Sequence, residues 1–85
     1  MWTTSRYASK GAREVAIQLS RRFSSPYVSR GKKNIHIIVE LARKIGEERV
    51  FIVNEKNDKR SIDFIAVNEL GEWSWLKDKV EINEE

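Results

Sequence analysis

The sequence contains no cysteine, one proline and one histidine among its 85 residues. Without cysteine the chain can form neither a disulfide nor a thiolate zinc or redox site. The single histidine, His36, has only Glu40 one helical turn away, and one imidazole with one carboxylate provides too few ligands for a metal. The sequence therefore predicts a protein with no metal site and no cofactor.

Long apolar segments are also absent from the sequence. No run approaches the roughly 18 apolar residues that a transmembrane helix requires, and residues 1–10 lack the apolar stretch of a signal peptide. The absence of cysteine is compatible with a reducing compartment. We expect a cytoplasmic protein that has no membrane partner.

Catalytic patterns are lacking as well. The hydroxyl cluster Thr3, Thr4 and Ser5 has no nearby histidine and acid to activate a nucleophile. The pair Gly31-Lys32 does not form a P-loop, because Pro26 stands where the first glycine is required and no hydroxyl residue follows the lysine. We predict that the chain is not an enzyme.

Charge, in contrast, is abundant and unevenly distributed. Residues 1–33 carry eight cations and one anion, a net charge of +7, whereas residues 34–85 carry eight cations and twelve anions, a net charge of −4. A basic segment of this kind is suited to nucleic-acid phosphate. Uneven surface charge that serves only solubility is an equally good explanation on composition alone.

Periodicity and turn residues predict the order βαβα for the first half of the chain. The first strand covers residues 2–5, and a helix capped by Ser9 follows, with an apolar stripe at Ala12, Val15, Ala16, Leu19 and Phe23. Pro26 ends this helix and begins a short strand over residues 26–29. A second helix over residues 35–45 has Asn34 as its N-cap and Gly46 after its end.

The second half predicts a β-meander. The continuous apolar run at residues 49–54 is typical of a central strand covered on both faces. A turn at 57–60, an antiparallel strand at 61–67 and a last strand at 73–76 follow. Residues 77–85 form an acidic tail that we expect to fray. The fold class is thus α/β, with one domain over residues 1–85 whose mixed sheet is flanked by helices.

Two basic clusters follow the predicted parallel strands. Loops at the carboxyl ends of parallel strands lie on one edge of a sheet, so we expect the clusters to converge near two helix N-termini, which favour anions. Tyr7 and Tyr27 could stack on an unpaired base or pack at the edge of the sheet, a role that fits Tyr27 better than Tyr7. The candidate RNA-binding residues are Arg6, Tyr7, Lys10, Arg13, Arg30, Lys32 and Lys33.

Trp73 and Trp75 lie on one face of the last predicted strand. They fit core or cover positions better than a base-stacking platform. A protein interface is a third interpretation.

The motifs of residues 2–68 resemble the first half of a Brix domain, especially in short archaeal proteins. The resemblance is carried by Thr3-Thr4-Ser5-Arg6, the helical segment 16–19, the turn Arg30-Gly31-Lys32, the buried helix 35–42 and the strand 50–53. It implies a fold similar to the anticodon-binding domain of class IIa aminoacyl-tRNA synthetases, and it carries over Arg6, Arg30 and Lys32 as basic positions.

The Brix resemblance also implies a function and partners. It implies a ribosome-biogenesis factor that binds ribosomal RNA or its precursor and works with ribosome-assembly proteins. The alternative is a protein–protein interaction module in such an assembly, with incidental RNA contact. Because the chain corresponds to only one half, we expect that a homodimer or a separate second half-domain could complete it.

Overall fold

The computed structural model describes residues 1–57, 59–76 and 80–82. Within these residues, in chain order, the elements are β1 (Trp2–Thr4), α1 (Lys10–Arg22), α2 (Ile35–Lys44), β2 (Arg49–Lys56), β3 (Lys59–Val67), β4 (Trp73–Trp75) and β5 (Val80–Ile82). The five strands form one mixed sheet in the order β1-β2-β3-β4, and β5 also pairs with β3.

The pairing of the strands confirms the predicted α/β fold with a mixed sheet. β1 is parallel to β2, and β3 is antiparallel to β2, β4 and β5. The tail predicted to fray thus contains a short strand at 80–82, while residues 77–79 and 83–85 lie outside the described part of the chain. The fraying of the tail stays a prediction.

The core consists of two apolar layers, one on each face of the sheet. Ala12 and Ala16 of α1 pack against Trp2, Val53 and Ile62. On the other face, α2 contributes Ile38, Val39 and Ala42, which pack against a larger cluster that includes Met1, Val50, Ile52, Ile65 and Val67. β2 is therefore covered on both sides, as its continuous apolar run predicts.

Both predicted N-caps are confirmed. The Ser9 hydroxyl accepts a hydrogen bond from the Ala12 amide at 3.1 Å, and the Asn34 side chain accepts one from the Ile37 amide at 3.0 Å. Each cap satisfies an amide that the first helical turn leaves unpaired. These caps position the loops that precede α1 and α2.

The two helices end in the same hydrogen-bonded motif. After α2, Gly46 has φ +78°, and the Glu47 amide donates to the Ala42 carbonyl at 2.9 Å. After α1, Ser24 has φ +51°, and the Ser25 amide donates to the Ser20 carbonyl at 2.8 Å. Gly46 is confirmed in the left-handed position, whereas α1 closes with a serine in a conformation that favours glycine.

The predicted strand at 26–29 is reduced to a single bridge, in which Tyr27 pairs with Trp2 in parallel. The Trp2 amide donates to the Pro26 carbonyl at 2.8 Å, and the Val28 amide donates to the Trp2 carbonyl at 2.9 Å. The next acceptor on this edge of β1, the Thr4 carbonyl, is taken by the Arg30 side chain. The predicted strand at 26–29 is therefore too long, because beyond Val28 the Arg30 side chain, and not the backbone, bonds to the edge of β1.

The hairpin between β2 and β3 is tighter than predicted. Lys59 and Arg60 belong to β3, whereas the sequence places them in a turn. Lys56 pairs with Lys59 at the end of the ladder, and Asn57 has φ +51°, a conformation that asparagine tolerates well. Both strands therefore extend further toward the edge that carries the basic loops.

Candidate nucleic-acid interface

The two predicted basic loops lie side by side at the carboxyl end of β1. We call this region the basic edge and define it as residues 5–9, residues 29–34 and the first turn of α1. The loops meet where the Arg30 Nη1 donates to the Thr4 carbonyl at 2.9 Å. Four of the candidate cations have exposed side chains there, namely Arg6, Lys10, Arg13 and Lys32.

The other two candidate cations are Lys33, which is partly buried, and Arg30, whose side chain lies beneath the loops with only 6% of the residue exposed. The Arg30 Nε donates to the Lys33 carbonyl at 2.6 Å in addition to the Nη1 bond to Thr4. A planar guanidinium can join two such acceptors with fixed geometry. Arg30 therefore holds the second loop in shape and ties it to β1, which sets the relative position of the exposed cations.

The electrostatic environment of Arg30 is unfavourable for its charge. Burial lowers the pKa of Arg30, and the nearby positive charge of Arg6 lowers this pKa further. Two guanidinium groups that repel each other at a loop junction would both be stabilised by an anion placed over them. The basic edge thus concentrates positive charge that no carboxylate of the two loops offsets.

The other lysines of the basic edge are partly engaged within the chain. Lys33 folds back so that its Nζ donates to the Ser29 carbonyl at 2.9 Å. Lys10 lies 4.0 Å from the Glu14 carboxylate, one turn along α1, and both side chains are mostly exposed. Exposed pairs of this kind contribute little to stability, so the Lys10 ammonium can exchange Glu14 for another anion.

Tyr7 occupies the tip of the first loop. Its backbone has φ +61°, its residue surface is 91% exposed, and the Arg6 guanidinium carbon lies 5.7 Å from the centre of its ring. A bulky side chain rarely adopts a positive φ. The structure thus presents an aromatic ring in solvent, flanked by a cation, on a strained backbone.

The sequence predicts the hairpin of β2 and β3, but sequence reasoning missed that its turn reaches the same end of the sheet as the basic loops. Because β1 and β2 are parallel, with Thr4 beside Val53, the carboxyl end of β2 lies near the basic loops. Exposed Lys56 and Lys59 are directly opposite each other there, an arrangement that is destabilising without an anion. Placing β2 parallel to β1 from the sequence would have predicted that these two lysines lie near the basic loops.

Two contacts fasten this hairpin to the start of α1. The Ser9 hydroxyl donates to the Glu55 carboxylate. The Arg60 guanidinium lies so close to Gly11 that a Cβ there would collide with it. Glycine at position 11 therefore leaves room for the end of the Arg60 side chain, and this contact places the hairpin beside the basic edge.

The two tryptophans of β4 differ in their surroundings. Trp73 is partly buried and packs edge-on against the His36 ring at 5.7 Å, and it contributes to the α2 layer of the core. Trp75, whose ring centre is 6.2 Å from that of Trp73, is 50% exposed. Trp73 thus has the predicted cover role, whereas Trp75 and the next residue, Leu76, expose apolar side chains to solvent.

The described part of the chain shows neither a cluster of metal ligands nor a membrane-spanning helix. Within residues 1–57, 59–76 and 80–82, no three of the histidine, aspartate and glutamate side chains lie together as a metal site would require. Neither α1 nor α2 is long and apolar enough to cross a membrane.

The fold is similar to that of a known protein, although the sequence alone matches little. No profile of a known protein family matches the sequence, and no curated protein is significantly similar to it. Among solved structures, the fold is similar to Mil, an archaeal Imp4-like protein, with a TM-score of 0.67 and 30% sequence identity over 85% of this chain. The match covers 45% of that protein, so the chain spans about half its length. The chain is thus similar in fold to part of an archaeal Imp4-like protein, a relation that agrees coarsely with the Brix resemblance of its sequence.

Proposed function

We propose that this protein is a ribosome-biogenesis factor that binds the backbone of ribosomal RNA, or of its precursor, through the basic edge. The observation that carries the proposal is the hydrogen bond from Arg30 to Thr4, which joins two cationic loops into one surface. The similarity to an archaeal Imp4-like protein and the Brix motifs supply the ribosomal context. A cytoplasmic location follows from this proposal.

The residues have two different roles in this proposal. Arg6, Lys10, Arg13 and Lys32 contact phosphates, since their side chains are exposed, and Lys33 adds positive charge at the loop. Arg30 positions the loops rather than touching RNA, because it is buried and bonded to two carbonyls. Phosphate contacts of this kind provide affinity and orientation and do not select a sequence.

The experiment that tests the proposal is an affinity measurement on a structured ribosomal RNA fragment across a salt series. The logarithm of the binding constant should fall linearly with the logarithm of the salt concentration. Each phosphate contact should contribute roughly 0.7–0.9 to the slope. With four exposed cations engaged, a slope near −3 or steeper is expected. An absence of binding at low salt would reject the proposal.

The second candidate function is a protein–protein interaction module in a ribosome-assembly complex. It is favoured by the exposed apolar side chains at and beside β4, namely Leu70, Trp75 and Leu76. A second copy of the chain could cover them, since the chain spans about half of its structural relative. Sedimentation at micromolar concentration tests whether a second copy covers this surface: a dimer abolished by Trp75→Lys supports it, and a monomer contradicts it.

A further inference from the structure

The backbone conformation and exposure of Tyr7 do not stabilise the fold. A tyrosine at φ +61° has a backbone conformation that glycine or asparagine would adopt with less strain. With 91% of its surface exposed, the side chain gains almost no burial in return. A strained and exposed aromatic residue on a loop is the kind of outlier from which a functional role is inferred.

The surroundings of the ring point to a ligand that combines a flat apolar face with negative charge. Arg6 lies 5.7 Å from the ring centre, and exposed Lys10 and Arg13 follow on the first turn of α1. A nucleotide has both properties, since its base can stack on the phenol ring while its phosphates lie near the cations. An acidic peptide would satisfy the cations and leave the exposed ring face unused.

We propose that Tyr7 is a stacking platform for an unpaired RNA base, so that the basic edge selects single-stranded or looped RNA over a continuous duplex. This inference rests on the proposed RNA-binding function and specifies its ligand. In an A-form duplex each base is stacked on its neighbours, and side chains cannot enter the deep major groove. Away from the two ends of a duplex, only a base displaced from the helix can reach the ring of Tyr7.

The conformation of Tyr7 provides a variant that separates binding from folding. Tyr7→Asn removes the ring and places at φ +61° a residue that tolerates this conformation, so the variant should be at least as stable as the wild type. Tyr7→Phe keeps the stacking surface and removes only the hydroxyl. Both variants retain every cation of the basic edge.

The test compares the affinities of the wild type and these variants for two RNAs with the same number of phosphates, an unstructured single strand of mixed sequence and a long duplex, in which the exposed end pairs are few. Tyr7→Asn should weaken single-strand binding roughly five- to 150-fold, the range for loss of one base–aromatic stack. It should leave duplex binding unchanged. Tyr7→Phe should bind both RNAs as the wild type does.

Each other outcome overturns the inference in a recognisable way. If the wild type binds both RNAs and Tyr7→Asn weakens both equally or neither, the stacking platform is rejected while the RNA-binding function stands. If Tyr7→Phe loses as much single-strand affinity as Tyr7→Asn, the hydroxyl and not the ring carries the contact. If the wild type binds neither RNA at low salt, the proposed function fails together with this inference.

Discussion

The Arg30 guanidinium donates a hydrogen bond to the Thr4 carbonyl, 26 residues earlier in the chain, at a distance of 2.9 Å. A second bond, from Nε to the Lys33 carbonyl at 2.6 Å, fixes the loop that Arg30 itself begins. The bond to Thr4 takes an acceptor that a longer strand at 26–29 would have used. A single side chain thereby ends the sheet at this edge and brings the two basic loops together.

Replacing Arg30 with lysine should destabilise the protein although the charge is kept. A lysine ammonium cannot reproduce the planar fork that reaches two carbonyls, and a buried acceptor left without its donor costs about 1–3 kcal/mol. Urea unfolding of Arg30→Lys measures this loss directly. The control is Lys32→Gln, an exposed change that should stay within about 0.5 kcal/mol of the wild type. Equal stability of both variants would show that Arg30 has no positioning role.

The left-handed residues that close the two helices form a matched pair. Ser24→Gly should stabilise the protein by about 1 kcal/mol, because Ser24 has φ +51° and a side chain in this conformation carries a steric cost. Gly46→Ala should destabilise it by a similar amount. A Cβ at Gly46 would meet no other part of the protein within 4 Å. The stability change of Gly46→Ala therefore measures the cost of the backbone conformation alone.

Thermal or urea unfolding of both variants checks the pair. Opposite shifts of comparable size are expected, since the two positions have the same role at the ends of α1 and α2. A loss of stability in Ser24→Gly would mean that its side chain has a contact which outweighs the strain.

Glu47 should contribute stability that depends on pH. Its carboxylate accepts a hydrogen bond from the Met1 ammonium at 2.9 Å, and this bond lowers the pKa of Glu47, with partial burial opposing the shift. Because the folded pKa lies below the unfolded value of about 4.3, the contribution is complete above that value and is lost as the pH falls through the folded pKa.

Glu47→Gln tests this linkage. At pH 7 the variant should be less stable than the wild type by about 1 kcal/mol, and the difference should shrink as the pH falls below about 4. Urea unfolding at several pH values measures it, with Glu48→Gln as the exposed neighbouring control. A stability difference that does not change with pH would show that the Met1–Glu47 ion pair does not stabilise the fold.

Local chemistry explains which features the sequence could predict. The caps Ser9 and Asn34 and the closing Gly46 each act within a few residues of their partners, so sequence spacing identifies them. The two apolar layers follow from periodicity, which marks the buried faces of α1, α2 and β2. The mixed sheet followed from the order of these elements and from the rule for parallel connections.

Long-range contacts explain what sequence reasoning missed. Arginine is mostly a surface residue, and the burial of Arg30 depends on the Thr4 carbonyl, 26 positions away, as well as on the nearby Lys33 carbonyl. The same contact shortened the expected strand at 26–29. Lys56 and Lys59 joined the basic surface only because β2 runs parallel to β1, a pairing that brings together residues about 50 positions apart.

The measurement that most directly tests the central claim compares the salt dependence of RNA binding in two neutralised variants. Lys32→Gln removes an exposed cation of the basic edge, and Arg22→Gln removes an exposed cation at the far end of α1, about 18 Å along the helix from Lys10. If the basic edge contacts phosphates, Lys32→Gln should reduce the slope of log K against log salt by roughly 0.7–0.9, and Arg22→Gln should leave the slope unchanged. Equal effects of the two variants would mean that binding depends on overall charge, and would contradict an interface at the basic edge.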